Sequence, residues 1–81
     1  MTDAEINQKV NELIIEVLFA EEHEVKDSAT LRHDLWAESF DIEDLCEALE
    51  KAFKVKLDTV AWNKVKTVGD VKALVKSTLK A

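Results

Sequence analysis

A single serine, Ser39, lies in the segment HDLWAESFDIEDL, residues 33–45, surrounded by acidic and apolar side chains. A nucleophilic serine needs a base within hydrogen-bond reach and a third group to orient that base. His33 lies six residues upstream, with Asp34 and Asp41 nearby. Nothing here resembles the strained strand-to-helix turn that presents a catalytic serine, so an enzyme is not expected. His33 is read as a loop histidine and His23 as a solvated one. Asp41, Glu43, Asp44 and Glu47 could gather a hard cation, but the EF-hand spacing and its turn glycine are absent. An acidic helix face is usually solvated, and no metal site is expected. Two readings of Ser39 stay open. A serine at a helix start accepts a hydrogen bond from a free backbone N–H. Alternatively, Glu38 and Asp41 complement the positive helix end, leaving the hydroxyl free for another enzyme to modify. A phosphodiester there would lie near the helix N-terminus, where negative charge is favoured. Cys46 falls on an apolar stripe and reads as a small buried hydrophobe.

The elements that must position Ser39 follow from periodicity. The chain has no Pro and one Gly, Gly69, which favours helices over tight hairpins. A first helix is expected over about 3–19, with Ile6, Val10, Leu13, Ile14, Val17 and Leu18 on one stripe. Thr2 and Glu5 form a capping-box pattern at its start. A second helix over about 39–53 has the stripe Ile42, Leu45, Cys46, Leu49, Ala52 and Phe53; Asp41, Glu43, Asp44, Glu47 and Glu50 crowd the rest of its surface. A short third helix is expected near 59–65. The fourth spans about 68–80, with Val68, Val71, Leu74, Val75 and Leu79 inward and Thr67 and Asp70 resembling a capping box. Residues 20–38 form a long connection, in which Val25, Ala29, Leu31 and Leu35 are expected to drop into the core and pin it. The fold is all-α, a small four-helix bundle with one long crossing loop and a short third helix.

Size and charge narrow the function. The 81 residues suit one domain, 1–81, whose core supplies no more than roughly 3–5 kcal/mol without staples. One cysteine allows no internal disulfide, and no Cys/His cluster has zinc spacing. No signal peptide is evident, and the apolar stretch LIIEVLFA falls far short of the ~20 residues of a membrane span. A cytoplasmic monomer with no membrane span is expected. Residues 1–53 carry 15 acids and 4 bases; residues 54–81 carry 2 acids and 7 bases. The acidic part argues against nucleic acid and for partners with basic surfaces. The basic tail, Lys64, Lys66, Lys72, Lys76 and Lys80, reads as a solvated helix face.

These residues carry a resemblance. DLWAESFDIEDLCEALEKAF resembles the DLGADSLD…EL…ALE…F segment of acyl carrier proteins. DSATLRHDL is similar to that family's NASFVEDL approach, and AWNKVKTVGDV to its AEKITTVQ stretch. The resemblance covers nearly the whole chain. It implies that Ser39 receives 4'-phosphopantetheine from coenzyme A, through a phosphopantetheinyl transferase, and that acyl-loading and acyl-transfer enzymes of fatty-acid, lipid or polyketide-type biosynthesis are partners. Those partners would meet Glu38, Phe40, Asp41, Glu43, Asp44 and Glu47. Ile42, Leu49, Phe53, Leu57 and Val65 would line the space for an acyl chain. Departures from the pattern imply a specialised, divergent member. Trp36 stands where the family usually has glycine; a loop that differs slightly is expected there, with Trp36 covering apolar surface beside the site. Glu38 and Phe40 replace Asp and Leu. Glu43 and Glu47 stand where many members present apolar residues, which implies a narrower partner set. An aminoacyl or peptidyl carrier, or an unmodified interaction module on the same bundle, are the alternatives.

Overall fold

The computed structural model describes residues 1–80; residue 81, the last of the expected domain, lies outside the described residues. Four helices, α1 (Asp3–Leu18), α2 (Ser39–Phe53), α3 (Thr59–Asn63) and α4 (Val68–Lys80), form a small all-α bundle, with a 3-10 turn at Glu22–Glu24. No helix among the described residues is long and apolar enough to cross a membrane.

The first helix begins where the Thr2 and Glu5 side chains satisfy each other's backbone N–H, at 3.2 and 2.8 Å. Ile6, Val10 and Ile14 are buried, and Leu13, Val17 and Leu18 pack partly buried against the core. The helix stops at Phe19, whose φ of 55° is left-handed. On α2, Leu45, Leu49 and Phe53 are buried, with Ile42, Cys46 and Ala52 at the core's edge. On α4, Val68, Val71 and Val75 are buried. Helix α1 packs on both α2 and α4, and α3 on α4. The third helix is shorter than its apolar pattern suggests. Asp58 caps its start by accepting from Ala61 N–H at 2.9 Å. Lys64 and Val65 then close its end with three-residue bonds to Ala61 and Trp62 carbonyls.

The connection between α1 and α2 is held by more than its apolar residues. Val25, Ala29, Leu31 and Leu35 are all buried, as is Ala37. The first N–H groups of any helix lack partners within it. Here the Val68 and Gly69 N–H groups donate to the Ala29 and Asp27 carbonyls at 3.0 and 2.9 Å, and Leu31 N–H donates to Lys66 O at 2.9 Å. The loop therefore supplies acceptors to the start of α4. A β-carbon on Gly69 would sit 3.1 Å from the Asp27 carbonyl oxygen, which accounts for the chain's one glycine at this close approach. Lys72 corrects the reading of a wholly solvated basic face. It is 7% exposed, and its Nζ donates to Asp27 Oδ1 at 2.6 Å. A buried ammonium needs such a partner, and the pair fastens the same loop to α4.

Candidate functional site

Leu31 to Ala37 forms a short arch that delivers the chain to α2. Leu31, Leu35 and Ala37 point inward and are buried. Arg32, His33 and Trp36 are exposed. Ala37 N–H donates to Leu31 O at 2.8 Å, and Leu35 N–H to Thr30 O at 3.1 Å. The Asp34 carboxylate accepts from Thr30 N–H at 2.7 Å and from the Thr30 hydroxyl at 3.1 Å. The Thr30 backbone N–H, helped by that hydroxyl, holds the Asp34 carboxyl below the usual carboxylate range.

Ser39 is the first residue of α2, not its cap. The cap is Glu38, whose N–H donates to Asp41 Oδ2 at 3.0 Å. No backbone N–H of the helix start uses the Ser39 hydroxyl, and Ser39 is exposed. Its side-chain neighbours are the Nη1 and Nη2 atoms of Arg32, at 3.5 and 3.4 Å. A guanidinium is always charged and cannot act as a base. His33 makes no hydrogen bond to Ser39.

Trp36 differs from expectation on two counts. Its φ is 59°, so the arch keeps a left-handed turn with a bulky residue in it. Its side chain is 80% exposed, so it does not cover apolar surface beside the site. A non-glycine residue in that region costs roughly 1–2 kcal/mol. Trp36→Gly should therefore raise stability by about 0.5–1 kcal/mol, after the larger unfolded-state entropy of glycine is taken off. A higher denaturant midpoint at unchanged slope is the expected measurement.

The residues expected to meet partners spread along one face of α2. Glu38, Glu43, Asp44 and Glu47 are exposed, and Phe40 is 60% exposed. Asp41 is half-buried and holds the cap. Glu47 pairs with Lys51 at 3.5 Å within the helix. Among the described residues, no group of three or more His, Cys, Asp or Glu side chains gathers around a point where a metal ion could sit. Cys46 is half-buried, and burial, with Glu50 nearby, pushes its thiol above the ordinary value. A protonated thiol is a poor nucleophile.

The five residues expected around an acyl chain are not gathered in one space. Ile42 and Val65 line a cleft of about 340 Å³ beside the arch, together with Leu31, Arg32, His33 and Lys66. Leu57 lines a separate cleft of about 370 Å³ between α2 and α3, with Glu43, Cys46 and Trp62. Phe53 borders a third, of about 460 Å³, near Met1 and Leu79. Leu49 is fully buried. Sequence reasoning missed Arg32, whose signal was its charge: it is one of four bases in the first 53 residues and the chain's one arginine.

The lowered carboxyls predict acid sensitivity. Glu5 is lowered mainly by the Thr2 N–H, and Asp70 by the Lys66 and Thr67 N–H groups. A carboxyl depressed in the fold stabilises it above the unfolded value, about 4, and that contribution is lost as pH falls through the folded value. Stability should decline below about pH 4. Asp34→Asn and Asp70→Asn should each flatten the decline, read from denaturant midpoints across that window.

No family model matches the chain. Curated relatives do. Over 70 residues the chain is 40% identical to an acyl carrier protein of Prochlorococcus marinus, covering 86% of this chain and 88% of that one. Over 75 residues it is 39% identical to an acyl carrier protein of Thermotoga maritima, covering 93% of each. Among solved structures, an acyl carrier protein from Enterococcus faecalis superposes with a TM-score of 0.79 at 28% identity, covering 96% of this chain and 99% of that one.

Proposed function

The chain belongs to the acyl carrier protein family, and from that premise we propose that Ser39 is its attachment point for a phosphopantetheine arm. Members of the family are carriers rather than catalysts, and an acyl carrier role follows for this chain. The observation that supports Ser39 is its exposed hydroxyl at the first residue of α2, left free because Glu38 and Asp41 carry the cap. The residues present suit the group: an accessible oxygen, a cation beside it at 3.4 Å, and a cleft of about 340 Å³ adjoining that cation.

Loading requires a separate transferase, because no base stands at Ser39. The Ser39 oxygen forms a bond to phosphorus as the pyrophosphate bond of coenzyme A breaks. The serine proton leaves to the transferase's base, and adenosine bisphosphate departs. When bound, the arm supplies the terminal thiol that holds an acyl group as a thioester. This chain's own residues do the rest. The buried Leu31, Leu35 and Ala37 fix the arch, and α2 presents Ser39 to solvent beside an acidic face. Cys46 is half-buried against the core, so its thiol is less accessible than one at the end of an arm on Ser39. The cleft lined by Ile42 and Val65 is the nearest space for the start of an acyl chain.

Intact mass after incubation with coenzyme A and a broad-specificity phosphopantetheinyl transferase tests the reading. A single pantetheine-sized addition, mapped to Ser39, is expected. An unmodified interaction module is the second reading, favoured by the exposed aromatic rings of Trp36 and Phe40 on either side of Ser39. It would give no addition.

Partner choice should ride on the charge of α2. Glu43, Asp44 and Glu47 meet Lys or Arg on biosynthetic enzymes of the acyl-loading and acyl-transfer kind. One exposed pair is worth only ~0.2–1 kcal/mol, so several must act together. Glu43→Lys with Glu47→Lys should slow loading by the transferase about tenfold at low salt, and the gap should close as salt screens the charges. Equal rates for variant and wild type at low salt would count against this face.

A further inference from the structure

We propose that Arg32 binds the phosphodiester formed on Ser39 and thereby sets the direction in which the arm leaves α2; the proposal rests on Ser39 being the attachment point. Arg32 is the chain's one arginine among eleven basic residues, and its guanidinium faces the Ser39 oxygen with two of its nitrogens, at 3.5 and 3.4 Å. A single hydroxyl makes weak use of such a fork. The paired non-bridging oxygens of a phosphodiester match it, because two parallel N–H···O bonds to an anion are shorter and stronger than bonds to a neutral oxygen.

Charge points the same way. The nearest ionisable groups to Ser39 along the chain are Asp34, Glu38, Asp41, Glu43 and Asp44, all acidic, with His33 next. A phosphodiester placed among them is opposed by each. Arg32 is the positive charge at hand, and among the described residues it forms no ion pair with any carboxylate. Its backbone is fixed. Leu31, immediately before it, is 1% exposed and donates its N–H to Lys66 O at 2.9 Å. The guanidinium is therefore carried on a part of the arch whose backbone is tied to the α3–α4 connection.

Arg32 also lines the cleft of about 340 Å³ that runs past Ile42 and Val65 to Lys66. A phosphate held by Arg32 lies at the mouth of that cleft. The arm then departs toward the seam between the arch and the α3–α4 connection, away from the acidic face of α2. That leaves Glu43, Asp44 and Glu47 open for a partner enzyme while the arm is docked.

The test compares wild type, Arg32→Met and Arg32→Lys, each unmodified and modified, with modification checked by intact mass. Two readouts are independent of any enzyme. The first is the pair of side-chain Nη–H resonances of Arg32, the two groups that face Ser39, identifiable because the chain has one arginine. On modification of the wild type they should shift, and their exchange with water should slow about tenfold, as expected of a charge-assisted bond. The second is the unfolding constant. The ratio of modified to unmodified values should differ about fivefold between wild type and Arg32→Met, with Arg32→Lys between them, and high salt should shrink the difference. A full mass addition with unmoved resonances and equal ratios would overturn the role of Arg32 and leave Ser39 as the carrier site. Absence of any addition on the wild type would overturn both.

Discussion

Ser39→Ala should abolish the pantetheine-sized mass addition completely while leaving the bundle as stable as before. The two halves of that result come from the same geometry. The Ser39 hydroxyl closes no backbone bond, because the cap of α2 is made by Glu38 and Asp41 at 3.0 Å. Its contacts to Arg32, at 3.4 and 3.5 Å on an exposed surface, lie at the long limit of hydrogen bonding. Losing them costs little. Alanine is also the better helix former by a few tenths of a kcal/mol. The net change in stability should stay within about 0.5 kcal/mol, read from thermal or denaturant melts of the two unmodified proteins. The chemical change is total, because the oxygen that must bond to phosphorus is gone. Addition persisting on the variant, at Ser28 or Ser77 for example, would show that exposure alone decides the site and that the helix start has no special part. A collapse of the fold would show instead that the hydroxyl is structural.

The three long helices could be read from the chain because each has an amphipathic stripe, and α1 and α4 have reciprocal caps written into adjacent residues. Thr2 with Glu5 and Thr67 with Asp70 both close as their spacing predicts. The start of α2 carried a weaker local signal. Serine is a common cap, yet the cap falls one residue earlier, on Glu38, because Asp41 reaches back to its N–H. The long loop was half legible. Its buried apolar residues show in the pattern, but the bonds from Val68 and Gly69 to Ala29 and Asp27 do not, since they join segments about 40 residues apart. Lys72 was misread for the same reason. Nothing near it in sequence signals Asp27, 45 residues away, so a lysine on a basic helix reads as solvated.

Around the site, chemistry was more legible than placement. Ser39, Glu43, Asp44 and Glu47 are exposed much as their types suggest, whereas Asp41 and Glu50 are half-buried and the apolar Phe40 is exposed. The placement of Trp36 was not legible: the glycine usual at its place signals a left-handed φ, and the arch keeps that φ around an exposed tryptophan instead of rearranging to bury it. Arg32 was overlooked because its relation to Ser39 depends on how the arch folds back across seven residues. The residues expected around an acyl chain illustrate a further limit. Periodicity finds the inward face of a helix, but it does not say which inward residues border an opening. Ile42 and Val65 do so beside the arch, whereas Leu49 lies sealed inside.

Leu49→Ala should therefore be among the most damaging single changes to the fold. Leu49 is 0% exposed at the middle of α2. Removing a buried leucine side chain costs about 2–5 kcal/mol, from lost transfer energy and the cavity left behind. A chain of this size without disulfide or metal has roughly 3–5 kcal/mol in total. The folded-to-unfolded ratio should fall at least about thirtyfold, and the melting temperature by 10 °C or more on the order-of-magnitude scale for small domains. Leu74→Ala, at a half-buried position on α4, should lose much less. The same variant asks where an acyl chain goes. Each CH₂ taken out of water contributes about 0.8 kcal/mol, so a medium chain entering the vacated space would restore much of the loss. Comparing Leu49→Ala with a bare arm and with a medium-chain acyl arm reads this directly. Recovery on acylation would place the chain against α2 near Leu49. Equal melts would keep it outside the bundle, and would confine the core of α2 to holding Ser39 in position.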